Sequence, residues 1–389
     1  MIFIRKGMIS MYNILTMNKI AACGTDKFDK AAYTITDECA EPTAIMVRSA
    51  KLHDYEMPSS LLAIARAGAG VNNIPVDKCA EQGVVVFNTP GANANAVKEL
   101  VICALLLSSR RITEAAAWAN SLKGTEDAPK TVEGGKAKFA GPEIFGKTLG
   151  VIGLGAIGGK VANAAAALGM KVIGFDPFLS DAAAKALDAS VKVVDSKDEI
   201  YKNSDYITLH VPFTPDAKNS ISKEQIAMMK DGVRLINMAR GELIDTAAVV
   251  EAIKAGKVAK YVTDFADDIG LGEENVITLP HLGASTPESE DNCAVMAADE
   301  LMDYIERGKI RNSVTFPNLE LAKTADQLVC VLHKAEVTED AVKAAVGADV
   351  VASASATKKA WGYTLLDVKG SANVDAVKAV AGVVGVRVI

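Results

Sequence analysis

The residues of this chain that most directly imply chemistry are three glycines at the spacing Gly153-x-Gly155-x-x-Gly158. Apolar residues lead into them (Leu149, Val151, Ile152), and the alanine-rich run 160–170 follows. That is strand, tight turn, helix. Gly153 permits the turn, Gly155 lets backbone approach a pyrophosphate, and Gly158 lets helix and strand pack closely. The free amides opening the helix, at Ala156 and Ile157, then face an anion. A second strand, 171–175, ends at Asp176, 18 residues after Gly158. An acid about 20 residues on is the acceptor for adenosine ribose hydroxyls. With no Lys or Arg in Pro177–Asp181 to receive a 2′-phosphate, the pattern points to NAD and not NADP.

A nicotinamide cofactor accepts or gives hydride, so the protein must move a proton and hold the substrate. Histidine suits the proton near neutrality. The chain has four: His53, His210, His281 and His333. Residue type alone does not choose among them. Arg48 and Arg66 fall at the ends of two expected strands, beside the turn Gly68-Ala69-Gly70. Ligands of parallel sheets bind beyond carboxyl strand ends, although either arginine alone could be a solvated surface charge.

The elements that must position these groups alternate strand and helix, which implies parallel sheets. Strands are expected at 12–17, 43–47, 62–65 and 84–87, with a helix at 76–82. A long apolar helix follows at 92–108, then a polar, glycine-containing stretch at 123–146. The glycine turn opens a six-strand doubly wound domain, with further strands at 191–194, 206–209, 234–237 and 261–263. Helices are expected at 222–230 and 246–255, and a seventh short strand at 275–278. Ser285-Thr286-Pro287-Glu288 is a helix start, with a cap, proline at the first position and early acid. From Gln327 the order becomes β-α-β-β-α-β, the ferredoxin-like arrangement. Pro317 marks a boundary beyond which this tail is expected to be separable from a folded core.

With 389 residues, half of them hydrophobic, the chain suits two or three soluble α/β domains. A net charge of −6 offers no basic field for nucleic acid. The longest apolar runs, such as 101–107, fall far short of the ~18 residues of a membrane helix, so no membrane partner is expected. Six scattered cysteines without C-x-x-C spacing suggest reduced thiols in a cytoplasm, with no structural metal. Residues 1–10 read as a short extension outside the fold and not a secretory signal.

Val47-Arg48-Ser49, Arg66-Ala-Gly-Ala-Gly-Val-Asn72, Asn88-Thr-Pro-Gly-Ala-Asn93, Gly146-Lys-Thr-Leu-Gly-Val-Ile-Gly-Leu-Gly155, Asn237-Met-Ala-Arg-Gly-Glu242 and Leu279-Pro-His-Leu-Gly-Ala-Ser-Thr286 together resemble the D-isomer-specific 2-hydroxyacid dehydrogenases. The resemblance implies a flavodoxin-like substrate domain from two segments (11–90 and 286–316) and a Rossmann NAD-binding domain (91–285). It also implies an ACT-like regulatory or assembly domain (325–389). It implies that His281 is the acid/base, Arg240 the substrate-carboxylate fork and Asp268 the acid paired with the histidine. Glu273 and Glu274 are alternatives to Asp268. On the cofactor it implies Gly153, Gly155, Ala156, Ile157, Gly158, Asp176, His210, Pro212, Ala239 and Asp264, the last near the nicotinamide amide. On the substrate it implies Arg48, Ser49, Arg66, Gly68, Ala69, Gly70 and Asn93. Lys136 would come from the neighbouring subunit of a homodimer formed through the cofactor domain.

The implied reaction is NAD-dependent oxidation of a small phosphorylated 2-hydroxy acid, 3-phosphoglycerate, at the start of serine synthesis. An unphosphorylated acid such as lactate or glycerate, or an NAD-sensing corepressor role, are the alternatives. Leu332-His333-Lys334-Ala335-Glu336 lacks the Pro-Gly turn of serine-binding ACT domains, so serine inhibition is expected to be weak.

Overall fold

The computed structural model of the chain describes residues 11–389. The expected extension at residues 1–10 lies outside the described residues. The chain divides into two compact units: one joins the segment up to Asn93 with Pro287–Ile389, and the other is Ala94–Thr286.

In the first unit five parallel strands, β1 (Tyr12–Met17), β2 (Tyr33–Thr36), β3 (Ala44–Val47), β4 (Ala63–Arg66) and β5 (Val85–Asn88), lie in the order β2-β1-β3-β4-β5. This is the flavodoxin-like order. The central strands are short, apolar and buried on both faces, as parallel strands covered by helices must be. β2 was not expected. It is an edge strand of alternating polarity with only Tyr33 fully buried, so it carries no apolar run. The helix Pro287–Arg307 returns the chain to this unit and buries Ala297, Ala298, Leu301, Tyr304 and Ile305 in its core.

The second unit holds seven parallel strands: β6 (Thr148–Ile152), β7 (Lys171–Phe175), β8 (Lys192–Val193), β9 (Tyr206–Leu209), β10 (Val233–Asn237), β11 (Val258–Thr263) and β12 (Val276–Thr278). Their order, β12-β11-β10-β9-β6-β7-β8, is the doubly wound Rossmann arrangement. The winding reverses at β6, which lies between β9 and β7, and the glycine turn leaves β6 at that switch point. The stretch 123–146, expected to be polar and glycine-containing, holds the helices Ala128–Gly135 and Lys136–Phe139. They follow the helix Ile112–Ser121, in which no residue is buried.

The tail belongs to the first unit. Strands β13 (Gln327–Lys334), β14 (Asp349–Lys358), β15 (Trp361–Lys369) and β16 (Val383–Val388) form an antiparallel sheet in the order β14-β15-β13-β16. One face, with Val329, Val331, Leu366 and Val368, packs on Val342, Val346 and Val377 of the two tail helices. The other face, with Leu328, Cys330, Leu332, Tyr363 and Leu365, shares a core with Phe87, Tyr304, Ile310 and Phe316. Arg387 donates to the carbonyls of Tyr304 (2.6 Å) and Ile305 (3.2 Å) and lies over the Tyr304 ring. The Tyr363 hydroxyl donates to the Gly308 carbonyl (2.6 Å). The small antiparallel-sheet domain thus satisfies the end of the Pro287–Arg307 helix. The run Leu328-Val-Cys-Val-Leu332 is apolar at consecutive positions, the pattern of a strand covered on both faces.

Candidate active site

The glycine turn is built by close approach. Gly153 has φ +92°, and a β-carbon there would lie 2.6 Å from the His210 carbonyl oxygen. A β-carbon on Gly158 would sit 1.8 Å from the Gly153 carbonyl oxygen, so any side chain there forces helix from strand. A β-carbon on exposed Gly155 would meet nothing within 4 Å. The protein's own packing explains Gly153 and Gly158; at Gly155 the space lies open in front of the amides that begin the helix Ala156–Ala167. Ala156 is exposed there and Ile157 half-buried. Asp176, at the end of β7, accepts from the Leu154 amide (Oδ2, 2.9 Å) and the Phe178 amide (Oδ1, 2.9 Å). These two bonds fix the carboxylate beside the turn and leave lone pairs for hydroxyl donors.

His210 follows β9, and its backbone amide donates to Ile152 (2.7 Å). Its Nε2 lies 3.0 Å from the Thr208 hydroxyl. Burial pushes its pKa down to about 3, so it is a neutral imidazole and not a proton carrier near neutrality. Its Nδ1 is buried with no partner among the described residues. An orphaned polar atom and an open glycine cradle together fit a polar ligand in this crevice. Pro212 is exposed at its rim, and the Ala239 amide is held by Asn237 Oδ1 (3.1 Å).

Arg240, Asp264 and His281 all leave the carboxyl side of neighbouring strands. Asn237, buried at the end of β10, donates from Nδ2 to the Arg240 carbonyl (2.8 Å) and so sets the turn that presents the arginine. Thr263, ending β11, donates to the Asn237 carbonyl (3.0 Å) and accepts from the Phe265 amide (3.1 Å). The Phe265 ring lies 4.7 Å from the exposed His281 ring, tilted by 50°. Asp264 is 2% exposed; its Oδ2 accepts from the Gly283 amide (3.0 Å), and its Oδ1 has no partner among the described residues. Burial raises its pKa, while the positive charges of His281 and Arg240 oppose that rise.

The other expected acids stand differently. Asp268 is exposed with no partner among the described residues. Its neighbour Asp267 accepts from the Thr246 hydroxyl (2.6 Å) and the Ile269 and Gly270 amides (3.0 and 2.7 Å), which closes the loop. Glu273 pairs with Lys254 at 3.0 Å, and Glu274 is exposed.

On the first unit, Arg66 donates from Nε to the Arg48 carbonyl (3.1 Å), so the two arginines at the ends of β3 and β4 are adjacent. A β-carbon on Gly68 would lie 1.8 Å from Arg66 Nη1. Asn18 Oδ1 accepts from the Ser49 (2.9 Å) and Ala50 (2.7 Å) amides, and Asn88 Nδ2 donates to the Ala69 carbonyl (2.6 Å). Gly70 is half-buried, and Asn93 Oδ1 is buried without a partner among the described residues. Sequence reasoning missed Glu290, whose carboxylate pairs with Arg48 at 2.5 Å. Its signal was an acid in the first turn of the helix that follows the His281 motif. Lys136 is exposed, pairs with Glu133, and lines a cavity of about 770 Å³ with Arg110, Arg111, Trp118 and Phe139. Among the described residues no cluster of acids, histidines or cysteines could hold a metal, and no helix is long and apolar enough to cross a membrane.

The model of the D-isomer specific 2-hydroxyacid dehydrogenase, NAD binding domain, matches residues 102–283. D-3-phosphoglycerate dehydrogenase of Methanocaldococcus jannaschii is 39% identical over 274 residues, 69% of this chain and 50% of that protein. Hydroxypyruvate reductase of Thermotoga maritima is 39% identical over 273 residues, 67% of this chain and 84% of that protein. The chain spans about half the length of several D-3-phosphoglycerate dehydrogenases it matches. Among solved structures, a glyoxylate reductase from Paecilomyes thermophila superposes with a TM-score of 0.63 at 26% identity, covering 78% of this chain and 98% of that one. The NAD+-bound 3-phosphoglycerate dehydrogenase of Entamoeba histolytica shares the fold, with a TM-score of 0.61 at 24% identity over 80% of this chain and all of that one. The chain therefore belongs to the D-isomer specific 2-hydroxyacid dehydrogenases, and residues 102–283 are its NAD-binding domain.

Proposed function

We propose that the chain catalyses NAD-dependent oxidation of D-3-phosphoglycerate to 3-phosphohydroxypyruvate, the first step of the phosphorylated route to serine. The observation that carries this reading is the pair of adjacent arginines, Arg48 and Arg66, at equivalent strand ends of the substrate unit. Arg240 suits a carboxylate bidentately, and the Arg48 and Arg66 pair supplies positive charge for a second anion. Ala69 and Gly70 offer backbone amides to the carboxylate end, flanked by Ser49 and Asn93, while the Gly68 amide donates to the Arg66 carbonyl (2.8 Å) and shapes the turn. When bound, NAD supplies the hydride acceptor at the glycine turn and Asp176. His281 takes the proton of the substrate hydroxyl, and Arg240 stabilises the carboxylate and the developing carbonyl. Neutral His210, Pro212, Ala239 and Asp264 line the cofactor side.

The chain acts as a cytoplasmic homodimer through the cofactor unit, supported by the helix Ile112–Ser121 with no buried residue and the apolar cavity beside Lys136. The cysteines are all free among the described residues, which suits a reducing compartment. The ACT-like tail has an assembly role, supported by its shared core with the substrate unit. Turnover measured by NADH formation over a panel of 2-hydroxy acids tests the reading. Binding of NAD without turnover of any acid would favour the corepressor alternative.

One observation favours a second reading. Glu290 already neutralises Arg48, which suits an unphosphorylated acid such as glycerate. Preference for D-glycerate in the same panel would establish it.

A further inference from the structure

Oxidation of an alcohol at this site requires a histidine basic enough to take a proton, and a nearby carboxylate is what raises an imidazole pKa. The family pattern assigns that role to the acid aligned with Asp268. The loop after β11 carries several other acids, and each can be placed. Asp267 is committed to two loop amides and the Thr246 hydroxyl. Asp268 projects into solvent, where a charge is screened. Glu273 is neutralised by Lys254. Glu274 is exposed like Asp268, and Asp264 is the carboxylate of this segment that is buried.

Four observations single it out. Asp264 is 2% exposed, so its field is poorly screened. It binds the amide of Gly283, two residues after His281, and so ties the histidine's own loop to the end of β11. Its second oxygen is buried and unpartnered among the described residues, an atom held in reserve for a donor. Its electrostatic partners are His281 and Arg240. Tyr261 lies behind it on β11, and Val97 is the neighbour on the helix side of Gly283. Phe265 covers the imidazole from the side and carries no charge.

We propose that Asp264, and not Asp268, is the positioning residue that sets the basicity and orientation of His281. The proposal rests on the dehydrogenase reading given above. Asp264 holds His281 through the Gly283 loop, and its charge stabilises the imidazolium formed when the substrate hydroxyl loses its proton. The same carboxylate serves the cofactor side.

The test is NMR titration of the His281 imidazole in the full chain without cofactor or substrate, with His281→Gln to assign the resonance. Removing a neighbouring anion lowers an imidazole pKa. Asp264→Asn is expected to displace the His281 titration and the low-pH limb of kcat/KM together toward lower pH. Asp268→Asn and Glu273→Gln are expected to leave both unmoved. An Asp268→Asn or Glu273→Gln shift of similar size would overturn the proposal, and so would an Asp264→Asn protein, folded by circular dichroism, with an unmoved His281. Should Asp264→Asn fail to fold, Asp264→Ser takes its place in the same titration, with the same two outcomes. The titration involves no substrate: a chain with the Asp264 shift but no turnover of any 2-hydroxy acid would retain this inference and lose the function.

Discussion

The guanidinium of Arg48 lies 2.5 Å from the carboxylate of Glu290, each side chain about two-fifths exposed (42% and 41%). An ion pair this exposed is worth no more than about 1 kcal/mol. A bound phosphate would therefore draw Arg48 away from Glu290 at little cost. Glu290→Gln is expected to raise kcat/KM for 3-phosphoglycerate by up to about fivefold and to leave that for D-glycerate unchanged. A loss of activity toward both would mean that Glu290 organises the site and does not compete for it.

Asp176 is held by two backbone amides beside the glycine turn, so its charge has little freedom to move away from a 2′-phosphate. NAD is expected to exceed NADP in kcat/KM, and Asp176→Ala to narrow the gap by about tenfold, near 1.4 kcal/mol. Parallel steady-state kinetics with the two cofactors checks this. Equal use of NADP by the unaltered protein would contradict it.

The tail is part of the substrate unit's core. Leu365 is fully buried within it. Leu365→Ala is expected to cost about 2–5 kcal/mol, read from urea unfolding. A chain cut after Pro317 should lose solubility and activity, because Phe87, Tyr304 and Phe316 would lose their cover. A soluble, active 1–317 fragment would contradict the shared core.

Glu300 is fully buried, receives one hydrogen bond from Asn312 (2.8 Å), and is pushed up by burial to about 8. Its unfolded value lies near 4.3. Below that value both states are protonated. As pH rises toward 8 the unfolded chain releases the proton and the folded chain keeps it, so stability falls. Glu300→Gln is expected to flatten this decline between about pH 5 and 8 and to stabilise the protein at pH 8 by a few kcal/mol. Urea midpoints across that range check it; an unchanged slope would place the titration elsewhere.

What was legible in the sequence was what repeats physically. The glycine turn could be read because each glycine answers a steric demand that no other residue meets. The strand positions followed from buried apolar runs, and their order in the sheets from the fold. β2 escaped because an edge strand needs only one apolar face. Glu290 escaped because an acid in a first helical turn has a sufficient local reason to be there. Asp268 was reached by matching a motif, which gives a position in the chain and not its burial. Burial, which only the folded chain reveals, separates Asp264 from its exposed neighbour. The tail's second apolar face was visible in Leu328–Leu332, but not what would cover it.

The most direct measurement of the central claim is kcat/KM for 3-phosphoglycerate and for D-glycerate in the unaltered chain and in Arg48→Ala and Arg66→Ala. A charged hydrogen bond contributes roughly 1.5–3 kcal/mol, so each deletion is expected to cost about ten- to a hundredfold. That loss should fall on 3-phosphoglycerate, which the unaltered chain should prefer, and spare D-glycerate. Equal losses on both substrates, or an unaltered chain that prefers D-glycerate, would contradict the assignment of a phosphorylated substrate.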